Sequence, residues 1–167
     1  MSMKDVKIDK VTLNLGVGEG GQKLENAKVL LERLSGRKAL PTVARVRNPV
    51  FKITKGEAIG AKVTLRRGAA VEFLKKALDS IDFKLAARAF DGFGNFAFGV
   101  KEYIDFPGAK YDPKIGILGF DVCVTLARPG KRVEQRRRAA ARIPRSHRVT
   151  KEEAMEFVKK NFNVSIE

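Results

Sequence analysis

The chain has 167 residues, long enough for about one domain with a real hydrophobic core. Hydrophobic residues make up 44% of it, which excludes a disordered chain. Lys and Arg outnumber Asp and Glu by 34 to 19, a net charge of +15, which makes nucleic acid the leading partner class over a merely cationic surface.

Chain order gives the elements. Val11, Leu13, Leu15 and Val17 alternate with polar or small residues, the period of a half-buried strand. Leu24, Ala27, Leu30, Leu31 and Leu34 repeat at helical spacing, and Gly36 is placed to end that helix. Thr42 to Val46 reads as a second strand, with Pro41 at an edge or entry point. Asn48-Pro49 breaks it and opens a basic loop to Gly56. Ile59, Ala61, Val63 and Leu65 form the apolar phase of a third strand whose other phase is polar and basic. Val71, Leu74, Leu78 and Ile81 stripe a second helix. Asn95 to Val100 and Phe120 to Leu126 are further strands, the first preceded by a bend rich in Gly and Phe. Thr150 and Glu153 fit a capping box for a last helix through Ala154, Phe157, Val158 and Phe162, with a short strand over Val164 to Ile166.

That order indicates one α+β domain over residues 1–167, a mostly antiparallel sheet with helices packed on one face. The other face would stay open for RNA, and Asn14, Arg45, Lys62, Thr64 and Arg66 are the side chains expected there. Asn14 has a second reading, as a strand-end residue bonding its own turn.

Charge is confined to two windows. Arg33 to Arg67 holds ten basic residues against Glu57 alone, and Arg128 to Arg148 holds nine against Glu134 alone. The rest of the chain is slightly acidic, so the excess resembles a footprint rather than a coating. The second window has no usable apolar face. It reads as an irregular arm that orders on a partner, with at most one short helix over Val133 to Ala141. In the first window, the loop bearing Arg45, Arg47, Lys52 and Lys55 either projects as a cationic finger or tucks Phe51 against the domain.

Chemistry-bearing patterns are few. Gly16-x-Gly18-x-x-Gly21 lies between a strand and a helix, as a dinucleotide fingerprint would, but Arg33 to Gly56 contains no acid to hold a ribose. The glycines are better read as a tight turn that lets a phosphate or sugar approach the backbone. One histidine, His147, and one cysteine, Cys123, provide neither a zinc site nor a nucleophilic pair, and Cys123 is expected in the core. No phosphate loop appears, so no catalytic residue, metal or cofactor is assigned. Phe90, Phe93, Phe96 and Phe98 could stack on bases, although Phe96 and Phe98 share a strand face that favours the core. Neither a signal peptide nor a membrane span is visible, so the expected compartment is the cytoplasm and no membrane partner is expected.

The runs KVTLNLGVGEGG, LERLSGRKA and GEAIGAKVTLRRG closely resemble the ribosomal large-subunit protein five family. FDGFGNFAFGVKEYIDFPG and YDPKIGILGFDVCVTLARPG continue the match over nearly the whole chain. RPGKRVEQRRR and SHRVTKEEA are similar to archaeal and eukaryotic members, and the short stretch before the first strand also favours the archaeal form. The resemblance implies a structural constituent of the large subunit that binds 5S ribosomal RNA in the central protuberance, among other ribosomal RNA and proteins. It further implies contact with peptidyl-site tRNA and with a small-subunit head protein at an intersubunit bridge.

Family RNA contacts map onto Asn14, Thr64 and Arg37, the last at a position where many members carry glutamine. Lys62 and Arg66, on the strand phase of Thr64, are expected to hold phosphates. The loop from Arg45 to Gly56 matches the segment reaching toward tRNA. In the arm, Arg132, Arg136, Arg137, Arg138, Arg142, Arg145 and Arg148 are additional RNA candidates. The competing readings are an RNA-modifying or phosphate-handling enzyme, which lacks a visible catalytic constellation, and a general RNA chaperone, which the clear periodicity disfavours.

Overall fold

A computed structural model describes residues 3–166. The chain is α+β, with strands β1 (Lys7–Gly16), β2 (Leu40–Val43), β3 (Ala58–Leu65), β4 (Lys84–Leu85), β5 (Phe96–Val100), β6 (Phe120–Ala127) and β7 (Ser165–Ile166). The helices are α1 (Gln22–Ser35), α2 (Gly68–Asp79), α3 (Arg132–Gln135) and α4 (Lys151–Phe162). Five strands form a mostly antiparallel sheet in the order β2-β3-β1-β6-β5, while β4 and β7 pair in parallel. Two compact units divide the chain, one of residues 12–65 and 99–122, the other of 3–11, 66–98 and 123–166.

In the unit of 12–65 and 99–122, α1 packs on β3. Leu24, Ala27, Leu30 and Leu31 are buried on the helix, as are Ala61, Val63 and Leu65 on the strand and Leu13 and Leu15 of β1. Each large side chain so buried contributes roughly 1.5–3 kcal/mol of transfer free energy. Gly36 ends α1 in the left-handed region, its N–H donating to Glu32 O at 2.8 Å. Gly60 is required for another reason. A Cβ there would lie 2.7 Å from Leu15 O and 2.8 Å from Thr42 Oγ1, so a side chain would push β3 off both neighbours.

In the other unit, α2 buries Ala70, Phe73, Leu74, Ala77 and Leu78. Phe90 and Phe96 meet at 5.0 Å between ring centroids, and Phe98 stacks on Phe96 at 6.5 Å. The core reading therefore holds for Phe96, and Phe98 is half-buried beside it. The capping box of α4 is complete: Thr150 Oγ1 accepts from Glu153 N–H, and the Glu153 carboxylate accepts from Thr150 N–H.

Several expectations need correction. The second strand ends at Val43, where a register shift begins, so Arg45 lies beyond the sheet. Arg66 falls one residue past the end of β3. Ile81 lies beyond α2, and the pairing of β4 with β7 had no apolar period to announce it. Cys123 is exposed, because β6 alternates: Val122, Val124 and Leu126 face inward and Cys123 shares the outward phase with Asp121. The arm helix stops at Gln135 rather than Ala141. A longer helix would set Arg132 and Arg136 as like charges four residues apart; instead Arg136 is extended, and Ala139 takes a positive φ of 49°.

Candidate nucleic-acid interface

Three polar side chains share the outward phase of β1 and β3. Lys62 and Thr64 are exposed between the buried Ala61, Val63 and Leu65, and Asn14 is half-buried between Leu13 and Leu15. The N–H groups of Val17 and Gly18 donate to Ile59 O at 3.0 and 2.9 Å, and Gly60 abuts Leu15 O. These anchors hold β3 against β1, and the burial alternation places Asn14, Lys62 and Thr64 on the outward phase of the two strands. Among the described residues, the side chains of Asn14, Lys62 and Thr64 make no hydrogen bond or ion pair, so the self-capping reading of Asn14 does not hold. The same anchors commit the Val17 and Gly18 amides to the sheet, leaving them unable to cradle a phosphate.

Arg37 projects from a fixed turn. Its backbone N–H donates to Ser35 Oγ at 3.2 Å, and Ala39 N–H donates to Glu32 Oε1 at 3.0 Å. The Arg37 side chain is exposed at the end of α1. In the other unit, Arg66 is also exposed but meets Asp9 Oδ1 at 3.2 Å, a surface pair worth at most about 1 kcal/mol.

The loop after β2 is a small closed finger. Ala44 N–H donates to Glu57 O at 2.8 Å, and Gly56 N–H donates to Ala44 O at 2.9 Å. Nearer the tip, Asn48 and Ile53 exchange both backbone bonds at 2.9 and 3.0 Å, and Asn48 Oδ1 accepts from Val50 N–H. The Glu57 carboxylate accepts from Thr54 N–H and then from its hydroxyl, which holds its pKa below the usual carboxylate range. Phe51 is 72% exposed and Val50 84%, so the finger does not tuck back. Arg45, Arg47, Lys52 and Lys55 are all exposed and without an ion pair among the described residues.

The basic arm is more self-engaged. Arg128 Nη2 meets Glu153 Oε1 at 2.6 Å with its side chain 12% exposed, and its Nη1 donates to Ser146 O. His147 Nε2 lies 2.8 Å from Pro129 O. Arg148 pairs with Glu134 at 3.8 Å, and Arg136 Nε donates to Ala139 O. Arg132, Arg137, Arg138, Arg142 and Arg145 are exposed without ion pairs among the described residues. The described residues contain no cluster of His, Cys, Asp and Glu able to hold a metal, and no helix long and apolar enough to cross a membrane.

Residues 2–53 match the family model for ribosomal protein L5, and residues 58–157 match the model for the C-terminus of the same ribosomal family. The chain belongs to the ribosomal protein L5 family. It is similar to the large ribosomal subunit protein uL5 of Sulfolobus acidocaldarius, 52% identical over 98% of this chain and 92% of that one. The uL5 proteins of Sulfurisphaera tokodaii and Methanosphaera stadtmanae are 50% and 48% identical, over 98% and 96% of this chain and 93% and 95% of their own. As a uL5 family member with archaeal relatives, the chain is a structural protein of the large ribosomal subunit, not an enzyme, and works in the cytoplasm where ribosomes are. Two features of this uL5-type chain had no sequence signal. They are the Arg33 to Asp112 bridge of 2.7 Å and the burial of Arg128, both joining residues far apart in the chain.

Proposed function

We propose that the chain binds 5S ribosomal RNA through the outward phase of β1 and β3 and thereby helps attach it in the central protuberance. The observation that carries this reading is the unpartnered set of Asn14, Lys62 and Thr64 on strands whose opposite phase buries Leu13, Leu15, Ala61, Val63 and Leu65. An amide and a hydroxyl held on rigid strands can meet 2′-hydroxyls and base edges, while Lys62, with Arg37 and Arg66, holds phosphates and sets the register. The self-closed finger of Arg45, Arg47, Lys52 and Lys55 reaches peptidyl-site tRNA, and the arm adds contacts to large-subunit RNA. A small-subunit head protein at an intersubunit bridge completes the partners that the family membership suggests.

The test is paired. The isolated protein should prefer 5S RNA over an unrelated structured RNA, with affinity falling steeply as salt rises. Shortening the loop between Val46 and Gly56 should leave that preference nearly intact and speed tRNA dissociation from assembled ribosomes. Loss of 5S RNA binding with unchanged tRNA retention would reverse the roles given to these two surfaces.

A further inference from the structure

Beside the arm, within the unit of 3–11, 66–98 and 123–166, lies a cavity of about 290 Å³. It belongs neither to the sheet face nor to the finger. Phe93, Asn95, Arg128, Lys131, His147 and Arg148 contribute to its lining. We propose that it seats a single unstacked nucleotide of ribosomal RNA.

Four observations lead there. The volume is at the lower end of small-ligand pockets, about 300 Å³, and suits one nucleotide rather than a helix. Phe93 is 64% exposed at the cavity while neighbouring Phe90 and Phe96 are buried, so one aromatic face is left for a base to stack on. Asn95 Oδ1 and Arg128 Nε are buried without a hydrogen-bond partner in the chain. They are one acceptor and one donor left unmet on two residues that line the cavity. The rest of each group is committed: Asn95 Nδ2 donates to Asp91 Oδ2 at 2.8 Å, and the Arg128 guanidinium is held by Glu153 and Ser146.

The mixed charge of the lining suits a nucleotide, which has both a polar base edge and an anionic backbone. Glu134 also lines the cavity and takes up the charge of Arg148 at 3.8 Å. Lys131 forms no ion pair among the described residues, which leaves it to hold the sugar-phosphate backbone at the rim. Glu134 can accept from an exocyclic amine. The exposed aromatic ring, beside lining residues with an unmet acceptor and an unmet donor, calls for a planar heterocycle. The arm's excess of nine basic residues over one acid draws in the polyanion that carries it.

The test uses the full chain and two RNA hairpins that differ only in one bulged 2-aminopurine nucleotide. The protein should bind the bulged hairpin on the order of ten-fold more tightly than the fully paired one. Phe93→Leu, an exposed substitution that keeps an apolar side chain, should bring that ratio close to one without changing affinity for the paired hairpin. Lys131→Gln should reduce it in part. The double variant Asn14→Ala with Thr64→Ala should keep the ratio, so this proposal and the sheet-face reading fail on separate measurements. Equal affinity of the unaltered protein for both hairpins, or a ratio that survives Phe93→Leu, would overturn the nucleotide seat.

Discussion

The two basic windows carry nearly the same charge and use it differently. From Arg33 to Arg67, the cations stand on β3, the self-closed finger and the ends of neighbouring elements, and most form no ion pair among the described residues. From Arg128 to Arg148, part of the charge is spent on structure: Arg128 is mostly buried against Glu153, and Arg148 reaches Glu134. In the first window apolar residues build the scaffold and the cations are passengers available to RNA. In the second there is little apolar scaffold, and some of the cations must hold the chain themselves. Equal charge in a sequence therefore does not mean equal availability to a polyanion.

The largest effect should come from breaking the scaffold of the first window. Gly60→Ala places a Cβ 2.7 Å from Leu15 O, which is backbone and cannot turn aside. It should cost about 1–3 kcal/mol of stability, read by denaturant unfolding. A cost near zero would mean that β3 is not held tightly between its neighbours. Next, the windows should differ when single cations are removed. Arg128→Met should cost about 1–2 kcal/mol, because Glu153 loses its partner at a mostly buried guanidinium. Lys62→Met, on the exposed phase, should stay within about 0.5 kcal/mol. Equal costs would erase the distinction drawn between scaffold and passenger charge.

The smallest effect concerns acid. Glu57 is held below the usual carboxylate range by the Thr54 N–H and hydroxyl, so its folded form favours the charged state. Its contribution to the finger is present above the ordinary carboxylate pKa and is lost as pH falls through the lowered value. Protection of the Thr54 amide, measured against its intrinsic exchange rate at each pH, should therefore fall at acid pH in the unaltered protein and be low at every pH in Glu57→Gln. A pH-independent finger in the unaltered protein would show that this cap does not hold it.

Much of the fold could be read where one periodicity ran unbroken. Leu13 and Leu15, Leu24 to Leu31, and Ala61 to Leu65 are buried as their spacing requires, and Gly36 and Thr150 mark helix ends by local chemistry. Reading failed where tertiary partners decide. Cys123 was hidden in an apolar run whose alternation only the strand geometry reveals. Arg128 looked like one more arm cation until Glu153, 25 residues away, came beside it. At the candidate site, Asn14, Lys62 and Thr64 were legible because strand phase alone puts them outward. How β3 is held on β1 depends on backbone bonds from Val17 and Gly18 to Ile59, which no spacing encodes.

The central claim is that the outward phase of β1 and β3 reads 5S RNA. Its most direct test is the affinity of the Asn14→Ala, Thr64→Ala double variant for 5S RNA and for a generic RNA duplex, at one salt concentration. If these residues read the RNA, each should cost about 1–3 kcal/mol on 5S RNA and far less on the duplex. Equal losses on both RNAs, or none on either, would contradict it.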